Sequence, residues 1–305
     1  MESLSNKVIL ITGASTGIGG HTAKMLSKFK PRLALVARSA DKLKDVQTQC
    51  QEAGCGKGNV ITLTADLGKQ EDLSRVIADT VKAFGQLDVL VNNAAAFVYN
   101  DVETTTPESF DRTMAVNIRA PFFLSQAAMP HLRKTSGSII NISSVAGMRP
   151  FTEAAAYGVS KAALDHFTRT LALELAPSGV RVNAITVGGT TTDTQAEMMK
   201  AMGTELVDTT ASTKLQPLGG FCSMEDIGKV VTFLASDLSA AMTGTCLPVD
   251  RGFSLVSPAL PDEVLERLSA MKNIGDTNPM STQQRTEQMK AMAQAKKDGN
   301  KPSES

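Results

Sequence analysis

Val8-Ile9-Leu10-Ile11-Thr12-Gly13-Ala14-Ser15-Thr16-Gly17-Ile18-Gly19 is an apolar run followed by a turn that contains three glycines. The run Val8–Ile11 is short and wholly apolar, which is typical of a central parallel strand covered on both faces. The residues from Gly20 to Leu26 have the pattern of a helix. A strand, a glycine turn and a helix in this order direct backbone N–H groups at a pyrophosphate. We therefore interpret this turn as a dinucleotide-binding loop, in preference to an ordinary glycine-rich connection.

The alternation of strand and helix continues along the chain. Apolar runs predict further strands at Leu33–Ala37, Val60–Leu63, Asp88–Val91, Ser138–Ile142, Val180–Thr186 and Thr245–Asp250, with a helix from about Gln70 to Phe84. Such units in succession predict a parallel, doubly wound sheet. Ligands of such a sheet bind beyond the carboxyl ends of its strands. The polar or small residues at or just past these ends are Asp66, Asn93, Ser144 and Gly188.

A hydroxyl, a phenol and an ammonium group occur close together in the stretch 143–161. Tyr157 and Lys161 are four residues apart, so they share one face of the helix that the apolar residues Leu164, Phe167 and Leu171 predict. A neighbouring ammonium lowers the pKa of a phenol, which suits it to acid–base chemistry. Ser144, at the end of a strand, could donate to a carbonyl oxygen that gains charge. In isolation, the pattern Tyr-x-x-x-Lys would instead indicate a half-buried aromatic and a solvated lysine.

The residue that follows the second predicted strand indicates the cofactor. Sites that select NAD carry an acidic residue there to bind the ribose 2′-hydroxyl, whereas this chain has Ala37 and then Arg38. An arginine suits a 2′-phosphate through bidentate, charge-assisted hydrogen bonds. Asp41 is interpreted as a first-turn residue of the next helix. We therefore predict NADP(H) and regard NAD(H) as less favoured.

Composition excludes several classes of function. Lys plus Arg and Asp plus Glu are both 31, aromatic residues make up 4% and tryptophan is absent, so nothing favours nucleic acid or an acidic membrane surface. The four cysteines lack metal-ligand spacing and disulfide density, which predicts reduced thiols and no metal site. The first residues lack a signal-peptide pattern and no apolar run reaches membrane-spanning length. We expect a cytoplasmic protein.

The chain resembles the short-chain dehydrogenase/reductase family from about residue 5 to residue 255. The matching motifs are Thr12-Gly-x-x-x-Gly-x-Gly19, Asp66-Leu67, Asn92-Asn93-Ala94, Asn117, Ser144 and Tyr157-x-x-x-Lys161. The resemblance implies a seven-stranded Rossmann-type sheet with helices on both faces, assembled as a homo-tetramer or homo-dimer. It also implies catalytic roles: Tyr157 as acid/base, Ser144 orienting the carbonyl, Lys161 binding the nicotinamide ribose, and Asn117 anchoring a water in the proton relay.

The same resemblance implies a set of cofactor-binding residues. These are Gly13, Ser15, Thr16, Gly17, Ile18, Gly19, Arg38, Asp66, Leu67, Asn93, Ala94, Tyr157, Lys161, Gly188, Thr190 and Thr192. Two positions depart from the family pattern. Val187 replaces a proline before Gly188, which predicts a looser loop, and Arg251 replaces the first glycine of Asp-Gly-Gly, which predicts altered packing at a subunit contact.

The expected organisation is one catalytic domain at residues 1–256, with a substrate lid at about 190–220, and a partly helical or disordered extension at 257–305. The expected activity is NADP(H)-dependent interconversion of a carbonyl and a secondary alcohol on a small ketone, aldehyde, quinone or steroid-like molecule. Two alternatives stay open at this point. One is a 3-oxoacyl-thioester reductase of the same family, and the other is a catalytically silent NADP-binding regulatory protein.

Overall fold

Seven parallel strands form one sheet in the order β3-β2-β1-β4-β5-β6-β7. A computed structural model provides the structure, which describes residues 2–98, 100–152, 154–190 and 216–256. The strands are β1 Val8–Thr12, β2 Arg32–Ala37, β3 Val60–Thr64, β4 Val89–Asn92, β5 Ser138–Ser144, β6 Arg181–Val187 and β7 Cys246–Val249. The strand order reverses beside β1, between β1 and β4, as it does in doubly wound sheets.

Helices cover both faces of this sheet. Within the described residues they are α1 Gly17–Ser27, α2 Ala40–Glu52, α3 Gln70–Phe84, α4 Pro107–Met114, α5 Ala120–Thr135, α6 Ala155–Leu175 and α7 Met224–Ala235. A π-helical segment, Ala115–Arg119, joins α4 to α5. The Rossmann-type fold is therefore confirmed.

Alternate residues of the central strands face the two helical layers, because successive side chains of a strand point to opposite faces. Ile9 and Ile11 of β1 belong to a buried cluster with residues of α1, α2 and α7. Val8 and Leu10 belong to a second buried cluster with residues of α3, α5 and α6. Burial on both faces explains why the strand sequences are continuous apolar runs rather than alternating patterns.

Local sequence signals account for several helix ends. The Ser39 hydroxyl accepts from the Lys42 N–H and so caps α2, which places Asp41 in the first turn as predicted. Ser223 and Asp226 form the predicted capping box at the start of α7. The predicted strand ends differ from the observed ones by one or two residues. The π-helical segment was not predicted.

The predicted lid lies almost wholly outside the described residues, and the extension at 257–305 does so entirely. The domain boundary at residue 256 and the lid therefore remain predictions.

Candidate active site

The carboxyl ends of the strands bring the predicted site residues to one edge of the sheet. Gly13 follows β1, Asp66 follows β3, Asn93 follows β4, and Gly188 follows β6. Ser144 is the last residue of β5. Since all seven strands are parallel, these residues share the edge at which ligands of such sheets bind.

The glycine turn between β1 and α1 is packed so closely that side chains would not fit in it. Gly13 has a φ of +65°, and a Cβ there would lie 2.9 Å from the Ala94 Cα. A Cβ on Gly19 would lie 2.5 Å from the Asn93 Nδ2. Ser15, Thr16, Gly17 and Ile18 are partly accessible at the tip of the turn. The backbone is thus exposed to a ligand where a larger residue would cover it.

The start of α1 adds backbone donors to the same turn. Thr16 is the N-cap residue, but its hydroxyl accepts no hydrogen bond from the first turn of the helix. The N–H groups of that turn therefore have no capping partner from Thr16. A glycine cradle beside uncapped N–H groups fits the pyrophosphate of a dinucleotide.

Thr12 links this turn to the loop that follows β4. Its hydroxyl accepts from the N–H groups of Asn93, at 2.9 Å, and Ala94, at 3.0 Å, and donates to the Val91 oxygen. The Asn93 amide donates back to the Thr12 and Gly13 carbonyl oxygens. The sequence predicted Asn93 and Ala94 at the site but no separate role for Thr12. The position of Thr12 at the start of the glycine motif was the sequence signal that could have indicated this role.

Asp66 is held by an arginine that was not predicted from the sequence. Arg112 of α4 donates two hydrogen bonds to the Asp66 carboxylate, at 2.9 and 3.2 Å, and the Gly68 N–H donates a third. The Arg112 hydrogen bonds are the main cause that lowers the pKa of Asp66. Leu67 beside it is buried. No sequence pattern connects the two partners of this pair, since 46 residues separate them.

Arg38 lies exposed just after β2. Its positive charge also contributes to the lowered pKa of Asp66, so the two residues are close in space. Across the described part of the chain, the Arg38 guanidinium forms no hydrogen bond or ion pair. This arginine is therefore available to an anionic ligand.

Ser144, Tyr157 and Lys161 come together at the junction of β5 and α6. The Ser144 hydroxyl accepts from the Ala146 N–H, and it acts on the Tyr157 phenol closely enough to influence the pKa of that phenol. The Lys161 Nζ lies 5.6 Å from the centroid of the Tyr157 ring and donates to the Ile142 oxygen at 2.7 Å. The arrangement presents a serine, a phenol and an ammonium side by side, as the sequence predicted.

The electrostatics of this group differ from the sequence-based expectation. We expected the Lys161 ammonium to set a lowered pKa for Tyr157. Instead, burial raises the pKa of Tyr157, and the hydrogen bond with Ser144 opposes that rise. Burial also lowers the pKa of Lys161 to about 8, and the Asp165 carboxylate works against that change. The expectation was wrong because burial, which the spacing of Tyr157 and Lys161 does not show, is the largest cause acting on the pKa of the phenol.

Asn117 is fully buried in the π-helical segment and ties the site loops together. Its Oδ1 accepts from the Ala96 N–H at 2.7 Å, and its Nδ2 donates to the Ala96 oxygen and to the Ser160 hydroxyl. Ser160 in turn donates to the Tyr157 carbonyl oxygen. The Asn117 side chain thus fixes the loop after β4 against the helix that carries Tyr157. Its role in a proton relay stays a prediction.

The remaining predicted residues follow β6. Val187 is the buried last residue of β6, and the Gly188 N–H donates to the Val249 oxygen. The looser loop expected from Val187 continues into residues outside the described ones and stays a prediction. Thr190 is buried, and its hydroxyl donates to the Gly188 oxygen. Thr192 lies outside the described residues.

Aromatic side chains lie on the segments that follow β4, precede α6 and follow β7. Phe97 packs edge-on against the Tyr157 ring with centroids 4.7 Å apart. The Phe151 and Phe253 rings stack at 5.8 Å. The Arg149 guanidinium donates to the Phe253 oxygen and lies over the Phe253 ring. Phe97 is 37% exposed and Phe151 is 42% exposed.

Other ligand chemistries find little support in the described residues. No group of three or more His, Cys, Asp and Glu side chains there is placed to hold a metal ion. The four cysteines are free thiols. Among the helices of the described segments, none combines the length and the apolar character needed to cross a membrane.

Comparison with known proteins gives a consistent result. A family model described as enoyl-(acyl carrier protein) reductase matches residues 13–254. An uncharacterized oxidoreductase of Thermotoga maritima is 35% identical over 255 residues, which cover 83% of this chain and 100% of the relative. Trans-4-hydroxycyclohexanecarboxylate dehydrogenase of Sinomonas cyclohexanicum is 32% identical over 258 residues, with 82% and 94% covered.

Solved structures are similar over the same range. A short-chain dehydrogenase/reductase of unknown function from Caenorhabditis elegans, solved with cofactor, has a TM-score of 0.77 at 32% identity, covering 84% of this chain and 97% of that one. Levodione reductase has a TM-score of 0.79 at 28% identity, covering 83% and 100%.

Proposed function

The chain belongs to the short-chain dehydrogenase/reductase family of oxidoreductases, and we propose that it uses NADP(H) to interconvert a carbonyl and a secondary alcohol. The observation that carries this proposal is the cluster of Ser144, Tyr157 and Lys161 at the carboxyl edge of the sheet. The cluster lies on the same edge as the glycine cradle of residues 13–19, so one molecule bound along this edge could reach both.

Tyr157 is the proposed general acid/base. In the reductive direction its phenol donates a proton to the carbonyl oxygen, and in the oxidative direction its phenolate accepts the hydroxyl proton. The Ser144 hydroxyl donates to the same oxygen and stabilises the charge that develops on it. The Lys161 ammonium supports the phenolate electrostatically, because it lies within 5.6 Å of the ring in a buried setting.

The glycine cradle, the uncapped start of α1 and the residues Asp66, Asn93 and Gly188 would hold the dinucleotide. When bound, its nicotinamide supplies or accepts the hydride at C4. Arg38 supports the choice of NADP(H): it is exposed after β2, next to Ala37, where NAD-selective sites carry an acid. A 2′-phosphate suits a guanidinium that forms no bond within the described residues.

The proposed substrate is an apolar cyclic or aromatic ketone, quinone or steroid-like molecule. Phe97 packs edge-on against the Tyr157 ring, and the Phe151–Phe253 stack adds apolar surface on the segments before α6 and after β7. Such surfaces suit a planar apolar substrate better than a charged one. Names of relatives point the same way: tetrahydroxynaphthalene reductase of Pyricularia oryzae is 31% identical over 259 residues, 82% of this chain and 90% of the relative.

A carrier-bound thioester is a second candidate substrate, because the matching family model is described as an enoyl-(acyl carrier protein) reductase. We therefore propose to measure NADPH oxidation against a panel of diketones, quinones, ketosteroids, acetoacetyl thioesters and 2-enoyl thioesters. Turnover of a cyclic or aromatic member supports the proposal, and turnover of thioesters alone favours the second candidate. Absence of turnover across the panel, with NADPH still bound, contradicts both and favours a catalytically silent binding protein.

The proposed assembly is a homo-dimer or homo-tetramer. Phe122 on α5 is 45% exposed and contacts Phe167 of α6, with ring centroids 5.0 Å apart. Leu173, further along α6, is 79% exposed. Exposed large apolar side chains on two adjacent helices are typical of a protein interface.

A further inference from the structure

Arg251 adopts a backbone conformation that favours glycine. It follows β7 and has a φ of +54°, in the left-handed region. A non-glycine residue in this region is strained and persists where its surroundings hold it in place. Gly252 next to it also has a positive φ, of +86°. Because the family pattern has glycine at position 251, the arginine side chain is a specific feature of this chain.

The Arg251 side chain and backbone hold the loop of residues 216–222. Its guanidinium donates to the Gly219 oxygen at 2.8 Å, and its own carbonyl oxygen accepts from the Leu218 N–H at 3.1 Å. The same guanidinium lies 3.6 Å from the carboxylate of Asp226, in the capping box of α7. Arg251 therefore connects three segments: the end of β7, the 216–222 loop and the start of α7.

Besides the bonds from Arg251, the middle of the 216–222 loop has a turn hydrogen bond from the Gly219 N–H to the Gln216 oxygen, at 2.7 Å. Gly219 and Gly220 both have positive φ values, of +67° and +66°. A Cβ built on either glycine would meet no atom of the described residues within 4 Å, so this part of the loop is not packed against neighbours. Two consecutive glycines lose much conformational freedom when they are ordered. The hydrogen bonds that Arg251 makes offset the free-energy cost of that ordering.

The far end of the loop contacts the segment after β6. The Cys222 N–H donates to the Gly189 oxygen at 2.9 Å, and Cys222 forms a β-bridge with Thr190. The Phe221 ring packs so closely on Gly189 that a Cβ there would lie 2.5 Å from it. Gly188 is equally close to Asp250, the residue that precedes Arg251. The loop and the end of β7 thus enclose Gly188–Thr190 from two sides.

We propose that Arg251 is a positioning residue for cofactor binding, which acts through the 216–222 loop to hold the Gly188–Thr190 backbone at the carboxyl edge of the sheet. The inference rests on the proposed function, since it takes this edge as the dinucleotide site. Arg251 touches neither the dinucleotide nor the reacting atoms in this account. Its side chain limits the freedom of the backbone that the cofactor contacts.

The test uses Arg251→Gly and Arg251→Asn in the full-length protein. Both residues tolerate a positive φ, so neither substitution strains the backbone, and both remove the guanidinium. Lys229→Gln is the matched control: it removes a cation from the same helix start, where Lys229 pairs with Glu225, and leaves the Gly219 contact intact. Amide hydrogen exchange of the ligand-free protein, the Kd of NADPH and the midpoint of thermal unfolding are measured for each variant.

In both Arg251 variants we expect faster exchange at the Gly188 and Cys222 amides and a Kd for NADPH raised about three- to tenfold. The unfolding midpoint should stay near that of the wild type, because relief of the φ strain offsets the lost contacts. Lys229→Gln should match the wild type in all three measurements.

Unchanged exchange overturns the inference, and so does faster exchange with an unchanged Kd. A wild-type protein that binds no nicotinamide dinucleotide instead contradicts the proposed function, while the exchange data still report whether Arg251 orders the loop.

Discussion

At the residue scale, Lys161 combines two opposing properties: it is 2% exposed, and the proposed reaction needs its positive charge. Burial lowers its pKa to about 8, and the Asp165 carboxylate one helical turn away raises it. Its ammonium group has a hydrogen bond to the Ile142 oxygen that compensates part of the lost hydration. Lys161 therefore loses its positive charge as the pH rises through the range just above neutrality.

Activity should therefore fall as pH rises through about 8, where Lys161 loses its proton. Removing the nearby negative charge with Asp165→Asn should lower the Lys161 pKa further and move this alkaline limb to lower pH. The pH dependence of kcat with saturating cofactor and substrate measures the effect. Asp45→Asn, which removes an exposed acid of α2, is the control and should leave the limb in place. An alkaline limb that does not move in Asp165→Asn contradicts the assignment to Lys161.

Arg38 is the residue on which the choice of cofactor depends. Replacement by alanine removes the guanidinium proposed to bind the 2′-phosphate, so the Kd of NADPH should rise about tenfold or more while that of NADH changes little. Titration of NADPH and NADH into the wild type and into Arg38→Ala gives the ratio of the two Kd values for each protein. Wild-type protein that binds NADH at least as tightly as NADPH would overturn the assignment.

Residue roles were predictable from sequence only where a motif connects the residues. The Ser144, Tyr157 and Lys161 group was predicted from helical spacing and a strand end, and the structure brings the three together. The direction of the Tyr157 pKa was not predictable, because burial of the phenol depends on the whole surrounding chain. The Asp66–Arg112 pair was missed for a similar reason, since its partners are 46 residues apart.

At the element scale, the π-helical segment between α4 and α5 is the main irregularity of the described helices. It places Asn117 where its side chain bonds both the N–H and the oxygen of Ala96. Single wide turns of this kind are common at functional sites. The segment thereby joins the loop after β4 to α6.

Asn117→Ala should destabilise the protein by about 3 kcal/mol, because it leaves the Ala96 N–H, the Ala96 oxygen and the Ser160 hydroxyl without this partner. Ser160→Ala is the graded control: it removes one bond to Asn117 and the bond to the Tyr157 oxygen, keeps both Ala96 bonds, and should cost about 2 kcal/mol. Chemical denaturation gives both values. Equal losses in the two variants would show that the Ala96 bonds contribute nothing.

Most helices and strands were predictable because their signals are local. Apolar runs marked the strands to within one or two residues, and Ser223 with Asp226 marked the start of α7. The π-helical segment has no such signal, since it depends on how Asn117 is satisfied by Ala96 and Ser160, which are distant in sequence. Val187 itself lies within β6, and the looser loop expected after it stays a prediction.

At the scale of the whole molecule, the proposed interface consists of exposed apolar residues on α5 and α6, chiefly Phe122 and Leu173. Phe122→Glu places a charge beside the Phe167 ring and should shift the assembly toward monomer. Size-exclusion chromatography with light scattering measures the mass. The control is Leu238→Glu, which alters an exposed leucine of the short helical turn after α7. A wild-type monomer, or an unchanged mass in Phe122→Glu, contradicts the proposed face.

The whole account depends on Tyr157, because the glycine cradle alone would serve a binding protein equally well. Tyr157→Phe removes the phenol oxygen and keeps the ring that packs against Phe97. The decisive measurement is the turnover of this variant on the best member of the carbonyl panel, together with its Kd for NADPH. We predict a loss of at least about a hundredfold in kcat with the Kd nearly unchanged. Turnover close to that of the wild type would contradict the assignment of Tyr157 as the general acid/base.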